Sequence, residues 1–264
     1  MKLIACLLSI LIPFSPAGAS TRFRQPTRDG SALRWYVKRN PDHLAPELPD
    51  EFSRLSDYDG YYVDASSGEK DKVVYLTFDA GYENGNVEKI LDTLKEKKVT
   101  GAFFVLSHFV KAEPELIERM IAEGHLVCNH TARHHDMARA TDAEMKRELT
   151  DLETRYREQT GHEIAKYYRP PEGSFKWENL AVAKELGYAT VFWSFAYADW
   201  DNDRQPSAEA AMRKIRDNLH PGAVLLLHPT SATNAKILPH LIDELRAEGY
   251  RFGTLDELTG RNGK

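Results

Sequence analysis

From Lys72 to the C-terminus, short apolar runs alternate with segments of helical period, and this rhythm limits the fold more than any other feature of the chain. Residues 73–78, 101–106, 125–129, 167–169, 190–195, 223–227 and 250–253 are short, apolar and rich in β-branched and aromatic side chains, and read as buried strands. Between the first two, Val87, Ile90, Leu91 and Leu94 recur at helical spacing, with Asn84 or Asn86 available as cap. Leu116, Ile117, Met120 and Ile121 mark a second helix closed by Gly124. Thr141 and Glu144 form a capping box that opens a long helix to about Gln159. Further helices are expected near residues 177–186, 207–219 and 234–248. About seven strands separated by helices, with short connections, predict an α/β protein with a parallel sheet. At 264 residues a closed (β/α) barrel is favoured over an open sheet.

The N-terminal part reads differently. Residues 1–19 have the layout of a signal peptide: Lys2, an apolar core from Leu3 to Phe14, and Ala17-Gly18-Ala19 before Ser20. Cys6 lies too early for a lipoprotein site. Residues 20–70 are rich in Pro, Asp, Arg and Tyr and show no sustained period. They are expected to form an arm packed on the domain of residues 71–264, with a short helix near residues 49–55. Without Lys2 the balance is 34 basic against 40 acidic residues, a net of −6, with no basic patch to suit nucleic acid. Cys128 lies in an apolar run and reads as a small buried side chain rather than a nucleophile.

Asp79, His130, Arg169, Asp199 and His228 each follow a different apolar run. In a parallel barrel all strands end at one face, so these five polar residues are expected to converge on one mouth. Asp79 alone would also suit a helix cap or a turn. His130 and His134 are four apart, and on one face of a helical turn they could share a cation, as in zinc proteases. The protease reading lacks its base, since no Glu follows His130. Asp79 could take a proton from water, His228 could protonate a leaving nitrogen, Asp199 could orient His228, and Arg169 could keep Asp79 ionised. Together these describe amide or ester hydrolysis. The aromatics Tyr82, Phe175, Trp177, Trp193, Phe195, Tyr197 and Trp200 lie near the same ends. They could stack on sugar rings or belong to the core.

Five ordered motifs carry a resemblance: Thr77-Phe78-Asp79, His130-Thr131-Ala132-Arg133-His134, Arg169-Pro170-Pro171-Glu172-Gly173, Asp199-Trp200 and Leu226-Leu227-His228. From Lys72 onward the chain resembles the polysaccharide deacetylase superfamily (NodB homology, carbohydrate esterase family 4). Gly81-Tyr82-Glu83-Asn84-Gly85, His108-Phe109-Val110-Lys111, Phe192-Trp193-Ser194 and Arg34-Trp35-Tyr36-Val37-Lys38-Arg39 make it most similar to the delta-lactam-biosynthetic de-N-acetylases, which act on N-acetylmuramic acid in peptidoglycan. The resemblance implies a distorted (β/α) barrel. It implies Asp79 as base, Arg169 as its tether, His130 and His134 as metal ligands, and His228 as acid supported by Asp199. It places substrate contacts at Tyr82, Glu172, Gly173, Trp200 and Leu226, with the Glu172 N–H as oxyanion donor. It also implies an exported, monomeric protein whose partner is a peptidoglycan glycan strand.

One departure concerns the metal. Most of the superfamily has a second Asp after the base, and here that position is Ala80. The expected divalent ion (zinc first, with cobalt, manganese or magnesium as alternatives) would then be weakly held by two imidazoles, with Glu83 as a further oxygen donor that nothing in the sequence aims. The rival activity is deacetylation of N-acetylglucosamine in peptidoglycan or another glycan. A catalytically inactive wall-binding module is a third reading, prompted by Ala80 and opposed by the retained Asp79, Asp199 and His228.

Overall fold

The computed structural model describes residues 30–39 and 42–261, so the expected signal segment lies outside the described residues. The strands are β1 (Leu33–Arg34), β2 (Gly60–Tyr61), β3 (Lys72–Ala80), β4 (Ala102–Val105), β5 (Leu126–Asn129), β6 (Ala165–Tyr168), β7 (Ser174–Phe175), β8 (Ala189–Val191), β9 (Phe195–Ala196), β10 (Ala223–Leu227) and β11 (Tyr250–Phe252). The helices are α1 (Val87–Lys97), α2 (Ser107–Ala112), α3 (Pro114–Ala122), α4 (Asp142–Thr160), α5 (Trp177–Glu185), α6 (Ala208–Arg216), α7 (Ala232–Ala247) and α8 (Leu255–Thr259).

The main sheet is parallel throughout, in the order β2-β8-β6-β5-β4-β3-β10-β9. Eight strands therefore form the curled path, against about seven expected. β11 adds a ninth, pairing with residues 72–74 of β3. β10 holds residues 74–78 along one edge of β3, so β11 sits on the other edge, below β4 at residues 77–80.

β3 shows why the sheet is buried on both sides. Successive side chains of a strand point to opposite faces. Val74, Leu76, Phe78 and Ala80 pack with Ile90, Leu94 and Leu241 of the helical layer. Val73 and Tyr75 pack instead with Phe104, Cys128, Val224 and Leu255 inside the curl. Thr77 and Asp79 continue that inner face. The five residues of β10 are all buried, and each of its leucines contributes about 1.5–3 kcal/mol by leaving water.

The expected single strand over residues 190–195 is two strands at opposite ends of the sheet. β8 lies between β2 and β6, whereas β9 lies beyond β10. β2 and β9 do not pair, so the barrel is not closed by a strand ladder. The chain itself crosses the seam: Phe192 N–H donates to Tyr61 O (2.7 Å) on one side and Ser194 N–H to Val224 O (3.0 Å) on the other. The run reads as one strand because β-branched and aromatic residues fill it apart from Ser194, although its middle residues serve the crossing.

The N-terminal segment does more than lie on the domain, since Gly60–Tyr61 is the edge strand of the main sheet. β1 pairs antiparallel with β7, and Trp35 stacks on Phe192 (4.5 Å) and meets Phe52 at 4.8 Å. The short helix expected near residues 49–55 is two 3₁₀ turns, Asp50–Phe52 and Leu55–Tyr58. The capping box of α4 forms as expected. At α1 Asn86 takes the expected N-cap position, but its side chain makes no capping bond. The Glu83 carboxylate accepts from Gly85 N–H (2.5 Å) and Val87 N–H (3.0 Å), while both Asn side chains donate to Thr230 O.

Candidate active site

Asp79 closes the inner face of β3, and its carboxylate is met by the fully buried Arg169, which follows β6. Arg169 Nη1 donates to Asp79 Oδ1 at 2.8 Å. Its other donors reach Thr77 Oγ1 (2.9 Å), Val191 O (2.9 Å) and Phe192 O (3.2 Å), so the guanidinium has one orientation. Its carbon sits 4.1 Å from the Phe104 ring centroid. Burial pushes the Asp79 carboxyl up, but the charge of Arg169, with smaller help from His130 and His228, outweighs it and holds the group below its ordinary value.

His130 follows β5, and its ring faces Asp79, with Nε2 at 3.5 Å from Oδ2. Its Nδ1 lies 2.9 Å from the Arg169 carbonyl. A carbonyl only accepts, so Nδ1 carries the proton and Nε2 presents a lone pair. Burial is the main cause that lowers the His130 pKa, to about 4, leaving a neutral ring. His134 stands beside it, ring centroids 5.1 Å apart. The two do not sit on a helical turn as the four-residue spacing suggested. Residues 130–136 form a loop, and Thr131 (φ 74°) and His134 (φ 60°) adopt the left-handed region, which folds the chain back on itself. Asn129 Oδ1 accepts from Thr131 N–H (2.9 Å), and the buried Glu148 accepts from Arg133 N–H (2.8 Å) and from the Arg133 guanidinium. His125 and His135 lie elsewhere: His125 is buried beside Gly101, and His135 is near Glu148.

Across the cleft, His228 follows β10. Its Nδ1 donates to Asp199 Oδ1 at 2.7 Å, so Nε2 is the nitrogen left for the cleft. Asp199 is fully buried, and its second oxygen accepts from His228 N–H (2.8 Å) and Asn234 Nδ2 (2.6 Å). Burial lowers the His228 pKa, but the hydrogen bond and charge of Asp199 outweigh it, and the net shift is upward. Two of these supports, Thr77 and Asn234, were not singled out from the sequence, although each left a signal there. Thr77 shares the inner face of β3 with Asp79, which period-two reading would have shown. Asn234, an amide in the first turn of an apolar helix, was the other signal.

The cleft holds about 700 Å³, within the range of small-ligand sites. Asp79, His130, His134 and His228 line it, as do Tyr82, Glu172, Trp200 and Leu226. Arg169 and Asp199 stand behind the wall. Gly173 does not face the cleft: it has φ 65°, and a Cβ there would meet Trp35 Cβ at 2.8 Å and the Trp193 ring at 2.9 Å. Its place is a close approach beneath the wall. Glu172 is also left-handed (φ 55°). The aromatics divide. Tyr82, Trp193, Tyr197 and Trp200 line the cleft, whereas Phe175, Trp177 and Phe195 are buried core. Glu83 is engaged at α1, and Ala80 is buried in the helical layer, so neither adds a donor. Among the described residues no group of three or more His, Cys, Asp or Glu side chains is gathered to hold a metal.

Residues 66–191 match the family model described as polysaccharide deacetylase. The chain is 38% identical over 254 residues to the peptidoglycan-N-acetylmuramic acid deacetylase PdaA of Bacillus subtilis, spanning 96% of this chain and 93% of that protein. The solved structure of Bacillus subtilis PdaA, described as a family 4 carbohydrate esterase, superposes with a TM-score of 0.83 at 39% identity, covering 88% of this chain and 98% of the other. A peptidoglycan-N-acetylglucosamine deacetylase of Bacillus cereus is 31% identical over 206 residues, 75% of this chain and 92% of that one.

Proposed function

The chain belongs to the polysaccharide deacetylase family, and from that premise we propose that it removes the acetyl group from N-acetylmuramic acid residues of peptidoglycan. The observation that carries the substrate is the extent of likeness. Similarity to the muramic acid deacetylase runs over nearly the whole chain, N-terminal segment included, while that to the glucosamine deacetylase is lower and shorter. The freed amine would lie near the lactyl carboxyl group of the same sugar, which is the geometry a delta-lactam needs. Residues 1–19 support export, so the site of action is the cell wall.

In this reading the acetamide enters between Asp79 and His228. Asp79, held ionised by Arg169, takes the proton of the attacking water. The water oxygen bonds to the acetyl carbon. His228, held protonated by Asp199, gives its Nε2 proton to the sugar nitrogen as the C–N bond breaks, and acetate leaves. In the same reading the Glu172 N–H is the donor to the developing oxyanion, and Tyr82, Trp200 and Leu226, which line the cleft with Glu172, hold the sugar.

The residues present fit a divalent ion on two imidazoles. His130 Nε2 is presented by the tautomer that the Arg169 carbonyl imposes, and His134 lies beside it on the cleft wall. His130 and His134 would hold such an ion, which would supply Lewis acidity to the acetyl carbonyl. With Ala80 facing the helical layer and adding no ligand, the affinity would be low.

The test is acetate release with mass analysis of digested peptidoglycan, using strands with and without stem peptides. Deacetylated muramic residues support the proposal. Acetate drawn only from glucosamine residues would replace it with the glucosamine activity, and binding without any acetate would leave a wall-binding module.

A further inference from the structure

Among the described residues Arg34 is the one lysine or arginine lining the cleft, and nothing in the chemistry above uses it. We propose that Arg34 determines specificity by binding the lactyl carboxylate that distinguishes a muramic sugar from a glucosamine; this rests on the substrate reading just given.

The placement is built by the N-terminal segment. Trp35 is buried, donates its indole N–H to Trp193 O (2.9 Å) and its backbone N–H to Gly173 O (2.8 Å). These contacts fix β1 against β7. Because strand side chains alternate, Arg34 then points away from the core and into the cleft. Among the described residues the cleft carries two carboxylates, Asp79 and Glu172. Asp79 is already matched by Arg169. Arg34 Nη2 meets the Glu172 carboxylate, and both side chains are mostly exposed, 67% and 62%. An ion pair so exposed contributes little to stability. Its position suggests another use. Glu172 holds the guanidinium over the cleft and can be exchanged for, or joined by, an incoming carboxylate, because the planar fork offers five donors and the Glu172 contact takes one nitrogen. A glucosamine residue has a hydroxyl where the lactyl ether stands and gives Arg34 no anion to meet.

The experiment pairs a side-chain change with a substrate change. The probes are a glycan strand stripped of stem peptides and the same strand with its lactyl carboxyl groups converted to the methylamide. The native protein is expected to favour the acid in kcat/KM by about tenfold, the scale of one charge-assisted hydrogen bond pair. In Arg34→Gln that preference falls to near unity, chiefly through KM, and Arg34→Lys is intermediate because it keeps charge without the fork. Glu172→Gln moves the other way and raises the preference, since it removes the competing carboxylate. A merely structural role for the pair would move both variants alike. If Arg34→Gln keeps the native preference, the proposal fails while the muramic activity stands. If the native protein turns over N-acetylglucosamine oligomers but neither muramoyl strand, the muramic reading fails first and the role of Arg34 with it.

Discussion

Asp199 holds His228 with both oxygens: one accepts from Nδ1, the other from the backbone N–H of the same residue and from Asn234. An Asn at 199 keeps one acceptor and turns an NH₂ toward a donor, leaving a buried mismatch. The pH consequence has a definite sign. In the proposed mechanism His228 must be protonated to act as acid, so activity is expected to fall as pH rises through its pKa. Asp199 raises that pKa against the opposing effect of burial. Asp199→Asn therefore moves the basic limb of the kcat profile to lower pH, and its loss grows with pH. His228→Ala loses about 10²-fold or more at every pH. A basic limb that stays in place in Asp199→Asn would take away its role in holding the proton. Asp79→Asn should cost similar turnover and also stability. It strips the buried Arg169 of its carboxylate, a change worth about 3 kcal/mol, which thermal unfolding would read. An unchanged melting temperature would mean that the carbonyls around Arg169 suffice.

At the scale of elements, the loop of residues 130–136 brings the two imidazoles together without a helix, and α4 holds it there. Glu148 on α4 accepts from the Arg133 backbone and guanidinium, and its own carbonyl accepts from Ala132 N–H (3.0 Å). Glu148→Ala removes the side-chain ties while α4 keeps its capping box. We expect circular dichroism to stay native and the Zn²⁺ needed to restore half-maximal activity after chelation to rise about tenfold, as for lost supports of metal ligands. An unchanged requirement would show that the left-handed loop holds the rings unaided. This loop also marks where sequence reading stops. The strand ends were legible, because each of Asp79, His130, Arg169, Asp199 and His228 follows an apolar run and parallel strands end on one side. The four-residue His spacing was not decisive, since a helical turn and a loop with Thr131 and His134 in the left-handed region both bring the rings close. At α1 the N-cap position, Asn86, was legible, but the side chain that does the capping was missed for a related reason. Asn is the commoner capping type, but Asn84 and Asn86 turn to Thr230 O, and Glu83 reaches the free N–H groups instead.

At the scale of the molecule, the curled sheet has a seam between β2 and β9, and the N-terminal segment lies where the chain crosses it. Composition gave no hint of this, because residues 20–70 lack a period, and edge strand β2 is only two residues long. Trp35 joins the parts. Its ring stacks on Phe192 in the crossing, its indole N–H holds Trp193 O, and its backbone holds Gly173 under the cleft wall. Trp35→Ala removes a side chain that is 4% exposed and leaves a cavity among Phe52, Tyr62 and Phe192. Such truncations cost ~3–5 kcal/mol. For a domain of this size a kilocalorie shifts the melting temperature by about 2–4 °C, so a fall of roughly 10 °C is expected. Arg34→Gln, one residue away but exposed, should shift it by far less. The cleft should suffer with the core in Trp35→Ala, since Trp193 and β1 both lose their anchor, and KM should rise even well below the new melting temperature. A variant that melts 10 °C lower yet keeps native KM would show that the segment only stabilises the barrel. A variant that melts normally would show that Phe52 and Phe192 close over the gap, and that the seam does not depend on Trp35.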